Sequence, residues 1–300
     1  MNVLVIVNPL AGGGRAGRAL PAVEIELTRL GIGHRVCETR SLDHGRALAR
    51  EAVAAGEVPV AFGGDGLIGA VAEAIRADGA PMGVLPGGRG NDFARALGIA
   101  LDPVKACAVL VAGAPRALDL GAVDGRSFIG IASCGLDSDA NRIANETRLV
   151  RGNLVYAYGA LRALVRWRPA SFTVTVDDRR PQTFSGYSVA VANSRTYGGG
   201  MQLAPAADLD DGQLDLVTIS RLPKWRLALL MPTVFMGAHV NLPVVHTDRA
   251  RTVRITASRP FAVYADGDPI GRLPATISVL PGAMRVIVPG AHQAAEAAGR

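Results

Sequence analysis

Three short stretches hold the residue types best suited to chemistry: NPLAGGGRAG at 8–17, GGDG at 63–66 and PGGRGND at 86–92. Each follows an apolar run and opens a helix-like one. Glycine lets backbone amides approach an anion closely, and the helix start behind it adds free N–H groups and a positive dipole end. Phosphate is the natural occupant of such a turn. Asp65 sharpens the reading: a carboxylate beside phosphate charge calls for a divalent cation between them, which a magnesium nucleotide supplies. For one loop alone, a tight turn with Asp65 favouring the start of the next helix explains as much. Three such loops in succession favour a shared anion site. The chain has no G-x-x-x-x-G-K-[ST] phosphate loop. Gly12, Gly14 and Gly17 do fit G-x-G-x-x-G, with Glu38 about twenty residues on, but Asn8-Pro9-Leu10-Ala11 loosens the tight turn which that fingerprint needs.

Two acidic groups lie further along. Asp266 in YADGD is followed by Gly267, where the lack of a side chain permits close approach. It could accept a proton from an attacking hydroxyl, or simply form the Asp-Gly turn of a hairpin. Asp208, Asp210, Asp211 and Asp215 crowd eight positions, either as a solvated turn or as oxygen ligands of a hard cation. Cys37, Cys107 and Cys134 are odd in number and far apart, and the five histidines lack metal-ligand spacing. A reduced, cytosolic setting is expected.

The elements that must position these groups change character along the chain. Up to about residue 115, strands at 3–7, 33–38, 58–62 and 82–85 alternate with helices at about 16–30, 42–55, 67–77 and 91–97. A further helix at 103–112 is opened by Asp102 and Pro103. That alternation implies βαβ crossovers and a mostly parallel sheet, which brings the three turns to one carboxyl edge, where open α/β sheets bind ligands. Beyond residue 116, alternating stretches at 171–176, 187–193, 214–220, 252–257, 261–265, 275–280 and 284–289 read as antiparallel strands, with helices at about 137–166 and 224–236. The expected fold is α/β: a mostly parallel nucleotide domain at 1–118, then a β-rich, β-sandwich-like domain at 119–289. The tail 290–300 is a candidate to pack back on the first domain.

Composition bounds the function. The 300 residues and 49% apolar content suffice for two real cores. Formal charge is +6; Lys105 and Lys224 are the two lysines, so 32 less 2 leaves 30 arginines. Arginine suits phosphates and carboxylates but also follows genome composition. With aromatics at 5% and not interleaved with arginine runs, no nucleic-acid partner is expected. The start reads as a strand rather than a signal peptide. The uncharged stretch 227–247 is interrupted by Pro232, His239, Asn241, Pro243 and His246, against a membrane span. Its apolar part, 225–238, reads equally as core or as the wall of a lipid groove. Arg142, Arg148, Arg151, Arg162, Arg166 and Arg168 gather around 139–166 as a solvated face or a patch for anionic headgroups.

NPLAGGG, GGDG, LPGGRGNDFARALGI (85–99), YGGGMQLAPAADLDDGQLDLV (197–217), GAHVNLPVV (237–245) and YADGD (264–268) together resemble, in order and spacing, the diacylglycerol kinase catalytic-domain family of bacterial lipid kinases, related to sphingosine and ceramide kinases. The resemblance implies ATP in a cleft between two domains, Mg2+, and a membrane lipid alcohol, diacylglycerol above all, as acceptor. It implies a cytoplasmic protein that touches the membrane transiently, with a homodimer left open. Asn8, Gly12, Gly13, Gly14, Thr39, Gly63, Gly64, Asp65, Gly66, Gly88, Arg89, Gly90 and Asn91 match nucleotide-contacting segments, Asp65 being the acid near the phosphates. Asp266 matches the general base, with Asp268 holding metal or positioning it. Asp211 matches a ligand of a structural Mg2+, with Asp208 and Gln213 lending backbone oxygens. The sequence departs from the family pattern at Leu67 and Arg89, where threonines are usual, at Asp268 in place of glutamate, and at Gly69 and Ala70. A soluble kinase of NAD-kinase type, a non-catalytic nucleotide or lipid sensor and, more distantly, a Rossmann oxidoreductase stay open.

Overall fold

In the computed structural model, which describes residues 1–147 and 154–290, the chain folds as two compact units. The first comprises Met1–Leu118 and rejoins the chain at Gly282; the second is Asp119–Pro281. The tail 291–300, with Arg148 and Arg151 of the arginine group, lies outside the described residues.

The first unit alternates as its sequence dictates: β1 (Asn2–Val7), α1 (Ala11–Arg29), β2 (Gly33–Glu38), α2 (Leu42–Ala54), β3 (Val58–Gly63), α3 (Asp65–Ile75), β4 (Pro81–Pro86), α4 (Asp92–Ala96) and α5 (Pro103–Ala112). The strands are parallel in the order β2-β1-β3-β4, with Val5 registered between Val36 and Val60. Val3 to Val7 are completely buried, because helices cover both faces of a parallel sheet and an alternating pattern would leave polar groups dry. Ser41 and Asp102 cap α2 and α5 by accepting the amide hydrogens of His44 and Val104, and Pro103 occupies the first turn of α5, as expected.

From β5 (Ala114–Val123) onward pairing is antiparallel within the second unit. The elements are β6 (Arg126–Phe128), β7 (Ile131–Gly135), α6 (Leu136–Glu146), α7 (Leu154–Arg166), β8 (Ala170–Val176), β9 (Gln182–Ala192), β10 (Leu214–Ser220), α8 (Lys224–Leu230), β11 (Val245–Ala250), β12 (Thr252–Ala257), β13 (Ala262–Ala265), β14 (Asp268–Arg272) and β15 (Ala275–Val288). Strand β9 pairs with β7, β8 and β10, and so branches the sheet into sandwich-like layers. The inward residues of β8 feed a core in which Phe172 and Trp167 each stack on Phe261.

One expectation changes. The stretches 275–280 and 284–289 are one strand: Gly282, at φ 58°, absorbs the Pro-Gly irregularity without a reversal. Ala275–Ser278 pair with β12, whereas Arg285 and Val286 pair in parallel with Pro81 and Met82 of β4. Within the apolar stretch 225–238, Leu227 and Val234 are buried while Trp225, Leu229, Phe235 and Met236 are exposed. Among the described residues no helix is long and apolar enough to cross a membrane.

Candidate active site

The three glycine turns meet at the carboxyl ends of β1, β3 and β4. The amides of Gly87 and Gly88 both donate to the Gly63 carbonyl, at 2.7 and 3.1 Å. A Cβ on Gly12 would stand 2.5 Å from the Gly87 oxygen, and one on Gly88 would stand 2.6 Å from the Gly64 Cα. These contacts are backbone against backbone, so only glycine lets the turns close on each other. Gly12, Gly13 and Gly14 are all left-handed, at φ 63°, 72° and 83°, which delays the regular turns of α1 until after the glycines. Asn8 shapes this turn by accepting the Leu10 amide hydrogen at 3.1 Å. Gly13 faces open space, and Arg89 is exposed on its loop.

Side chains in these loops fix the backbone. Asp65 accepts amide hydrogens from Phe93 at 3.0 Å and Asp92 at 3.2 Å, and so caps α4 from another loop. Its carboxyl is largely surrounded by protein. Loss of water pushes its pKa up, the charge of Asp92 adds to this, and the amides of Phe93, Asp92 and Asp65 itself partly oppose it. Asn91, nearly buried and left-handed at φ 53°, accepts the Gly88 amide hydrogen at 2.7 Å and donates to the Gly88 carbonyl at 3.3 Å. The Gly90 carbonyl accepts from Arg95, and Gly66 lies in the first turn of α3. Thr39 donates its hydroxyl hydrogen to the Ser41 carbonyl at 2.6 Å. Leu67 is interior, packed under Gly45 and Gly63. The rim thus offers glycine backbone and Arg89, a set suited to phosphate oxygens. The Asp65 carboxylate keeps lone-pair capacity beyond these amide bonds, and a cation beside it would relieve the cost of burying its charge.

In the second unit Asp266 and Gly267 form a two-residue hairpin loop joining β13 to β14, both at positive φ, as in a type I′ turn. The turn aims Asp266 inward: its carboxylate accepts the amide hydrogens of Ile129 at 2.8 Å and Gly130 at 2.9 Å. Hairpin geometry and a fixed carboxylate therefore coexist. Asp268 is exposed at the start of β14. In the acidic loop Asp211 accepts the Gln213 amide hydrogen at 2.9 Å and pairs with Arg249, so a cation there competes with an existing ion pair. Asp215 is buried and faces the charge of Asp208, which together push its carboxyl up to about 6. Among the described residues no group of three or more His, Cys, Asp or Glu side chains is arranged to hold a metal.

Comparison with known proteins decides what kind of protein carries this geometry. Residues 2–123 match the model of the diacylglycerol kinase catalytic domain, and residues 130–288 match the YegS C-terminal NAD kinase beta sandwich-like domain. A diacylglycerol kinase of Mycobacterium tuberculosis is 34% identical over 294 residues, covering 96% of this chain and 95% of that protein. The chain belongs to the diacylglycerol kinase catalytic-domain family. A Pseudomonas aeruginosa protein named as a YegS-like lipid kinase is also 34% identical, over 96% of this chain and 94% of its own length. The fold agrees with a crystal structure of a diacylglycerol kinase from Bacillus anthracis, at a TM-score of 0.76 and 20% identity, over 97% of both chains. The chain is thus an enzyme of the lipid-kinase family.

Several residues of this kinase escape sequence reasoning. Asn193, fully buried, donates to the Asp119 and Ile129 carbonyls at 2.9 and 3.0 Å, while its own amide donates to Gly130 at 2.8 Å. It thereby braces the segment that holds Asp266. Asp119, also buried, accepts the Gly212 amide hydrogen at 2.7 Å and anchors the acidic loop. Asp137, at the start of α6, accepts the Ser188 hydroxyl hydrogen at 2.5 Å, and burial pushes its pKa up. The available signal was a polar residue ending an apolar run, as in YSVAVAN (187–193).

Proposed function

We propose that this kinase uses ATP and Mg2+ to phosphorylate a membrane lipid alcohol, with diacylglycerol as acceptor and phosphatidic acid as product. The observation that carries the reading is the convergence of the three glycine turns into one rim of backbone donors. In the proposal, Gly12–Gly14, Gly63–Gly66 and Gly88–Asn91 grip the triphosphate, and Arg89 supplies the charge that a neutral threonine could not. Asp65 holds the loops in register and would be the carboxylate that could take a phosphate-bound cation, whose charge would offset that of the phosphates. ATP supplies the γ-phosphoryl group: the bond to the ADP oxygen breaks as the lipid oxygen bonds to phosphorus. Asp266 accepts the hydroxyl proton, held for that task by Ile129 and Gly130. The names of the relatives support diacylglycerol as the acceptor, and the interaction with the bilayer is transient, from a cytoplasmic enzyme.

The test is transfer from ATP labelled in the γ position to a panel of lipid alcohols, with NAD included because residues 130–288 resemble an NAD kinase domain. Label in a lipid, lost in Asp266→Asn, is the expected outcome. Label in NAD instead supports the soluble-kinase reading. ATP binding without transfer to anything supports a sensor. Undiminished transfer by Asp266→Asn refutes the role given to that carboxylate.

A further inference from the structure

The acidic loop that leads into β10 is where the family resemblance implies a structural Mg2+, held by the Asp211 carboxylate and by backbone oxygens of Asp208 and Gln213. Magnesium demands near-octahedral oxygen ligands and keeps several waters, so a site with one carboxylate depends on that carboxylate being open to the ion. Here both of its oxygens are engaged. Oδ1 accepts the Gln213 amide hydrogen at 2.9 Å, and Oδ2 pairs with the Arg249 guanidinium. A metal bound at Oδ2 would face the guanidinium as a second cation at contact distance, so the donor set as it stands does not fit the ion.

The fold delivers Arg249 to this place. On β11 it is registered directly opposite Asp215 of β10, a strand that starts at Leu214, where the acidic loop ends. Its backbone is pinned on both sides: its amide donates to the Asp248 carboxylate at 2.8 Å, and its carbonyl accepts from Arg179 at 3.3 Å. Arg179 in turn pairs with Asp248 at 2.8 Å. The stem of Arg249 thus starts from a fixed point within the same compact unit, and its fork meets Asp211 at a high effective concentration that a dissolved ion must match. Protein groups close the rest of the loop as well. The Asp119 amide donates to the Leu209 carbonyl at 2.6 Å, the Asp119 carboxylate accepts the Gly212 amide hydrogen at 2.7 Å, and the Arg195 side chain donates to the Ala207 carbonyl at 2.9 Å.

We propose that Arg249 is a built-in substitute for the structural cation: its guanidinium neutralises Asp211 and fastens the acidic loop to β11, so that the second unit needs no metal there. Removing the guanidinium leaves Asp211 open and converts the loop into a binder of divalent cations. This lock lies wholly within the second unit and is separate from the magnesium that accompanies ATP, so it stands or falls independently of the proposed reaction.

The experiment uses the full chain without nucleotide. Mn2+, which takes the same oxygen ligands as Mg2+, serves as a paramagnetic probe of the Gly212 and Gln213 amide resonances. In Arg249→Ala these resonances broaden at a Mn2+ concentration at least roughly tenfold lower than in wild type, because the competing cation is gone. Adding Asp211→Asn to Arg249→Ala abolishes the gain, which ties it to this carboxylate rather than to an ion bound elsewhere. Thermal unfolding supplies a second readout: the rise in Tm on replacing EDTA with MgCl2 is about 2–4 °C larger in Arg249→Ala than in wild type, the scale of one half-exposed ion pair restored by a metal. Arg249 is exposed, so the variant keeps the wild-type far-ultraviolet circular dichroism. Equal broadening of the two resonances in wild type and Arg249→Ala, a gain that survives Asp211→Asn, or the same Mg2+-dependent rise in both proteins would each overturn the proposal.

Discussion

Asp65→Ala tests how the loops are held. The native carboxylate accepts two amide hydrogens at the start of α4, a helix of five residues too short to hold itself. Asn91, which precedes that helix, spends its side chain on Gly88 and offers α4 no cap. Hydrogen bonds to a charged group contribute about 1.5–3 kcal/mol each. The low end applies here because burial disfavours the carboxylate, as its raised pKa records. Two bonds at about 1.5 kcal/mol give a loss of about 3 kcal/mol, or roughly 6–12 °C in Tm for a unit of this size. Asp65→Asn keeps one acceptor oxygen and loses about half as much. Thermal unfolding without nucleotide or divalent cation measures the effect, and hydrogen exchange at the Asp92 and Phe93 amides locates it. If Asp65→Ala melts within about 2 °C of wild type with both amides still protected, the capping argument is wrong.

Other outcomes follow from single contacts. Gly12→Ala weakens ATP binding at least tenfold by calorimetry, because its Cβ would press on the Gly87 carbonyl; Gly13→Ala, which meets no atom within 4 Å, carries only left-handed strain and a smaller loss. The raised pKa of Asp137 makes its contribution to stability largest below the ordinary carboxylate range and lost as pH rises through the raised value. Asp137→Asn, which can still accept from Ser188, therefore matches wild type in acid and exceeds it in urea unfolding at neutral pH. Burial pushes the Cys107 thiol up to about 12 and raises that of Cys134, so a thiol reagent labels only the half-buried Cys37 in the native protein and all three after unfolding.

The convergence of the glycine turns was legible because parallel βαβ topology sends every strand-to-helix turn to one edge, whatever lies between them in sequence. The capping role of Asp65 was not. Its partners lie 27 and 28 residues on, and only the packing of β3 beside β4 brings them together. Leu67 stands where threonine is usual in the family, and the first turn of α3 directs that position into the interior, which the sequence pattern alone does not reveal. The stretches 275–280 and 284–289 read as two strands because Pro281-Gly282 between them is a pair that ordinarily marks a turn; β15 passes through it, since a left-handed glycine can carry an irregularity within a strand. In the sequence Ala-Asp-Gly-Asp, the hairpin and the fixed carboxylate read as alternatives. The turn is what points Asp266 at the Ile129 and Gly130 amides, so local geometry and site geometry are one feature.

The proposed function requires three sequence-distant turns to make one site for a triphosphate. The measurement that meets it most directly is an ATP titration with Mg2+, followed through the backbone amide resonances of the full chain. Gly12–Gly14, Gly63–Gly66 and Gly88–Asn91 are expected to shift together and saturate with one Kd. Shifts confined to one turn, separate saturation of the three, or a response centred elsewhere would contradict it.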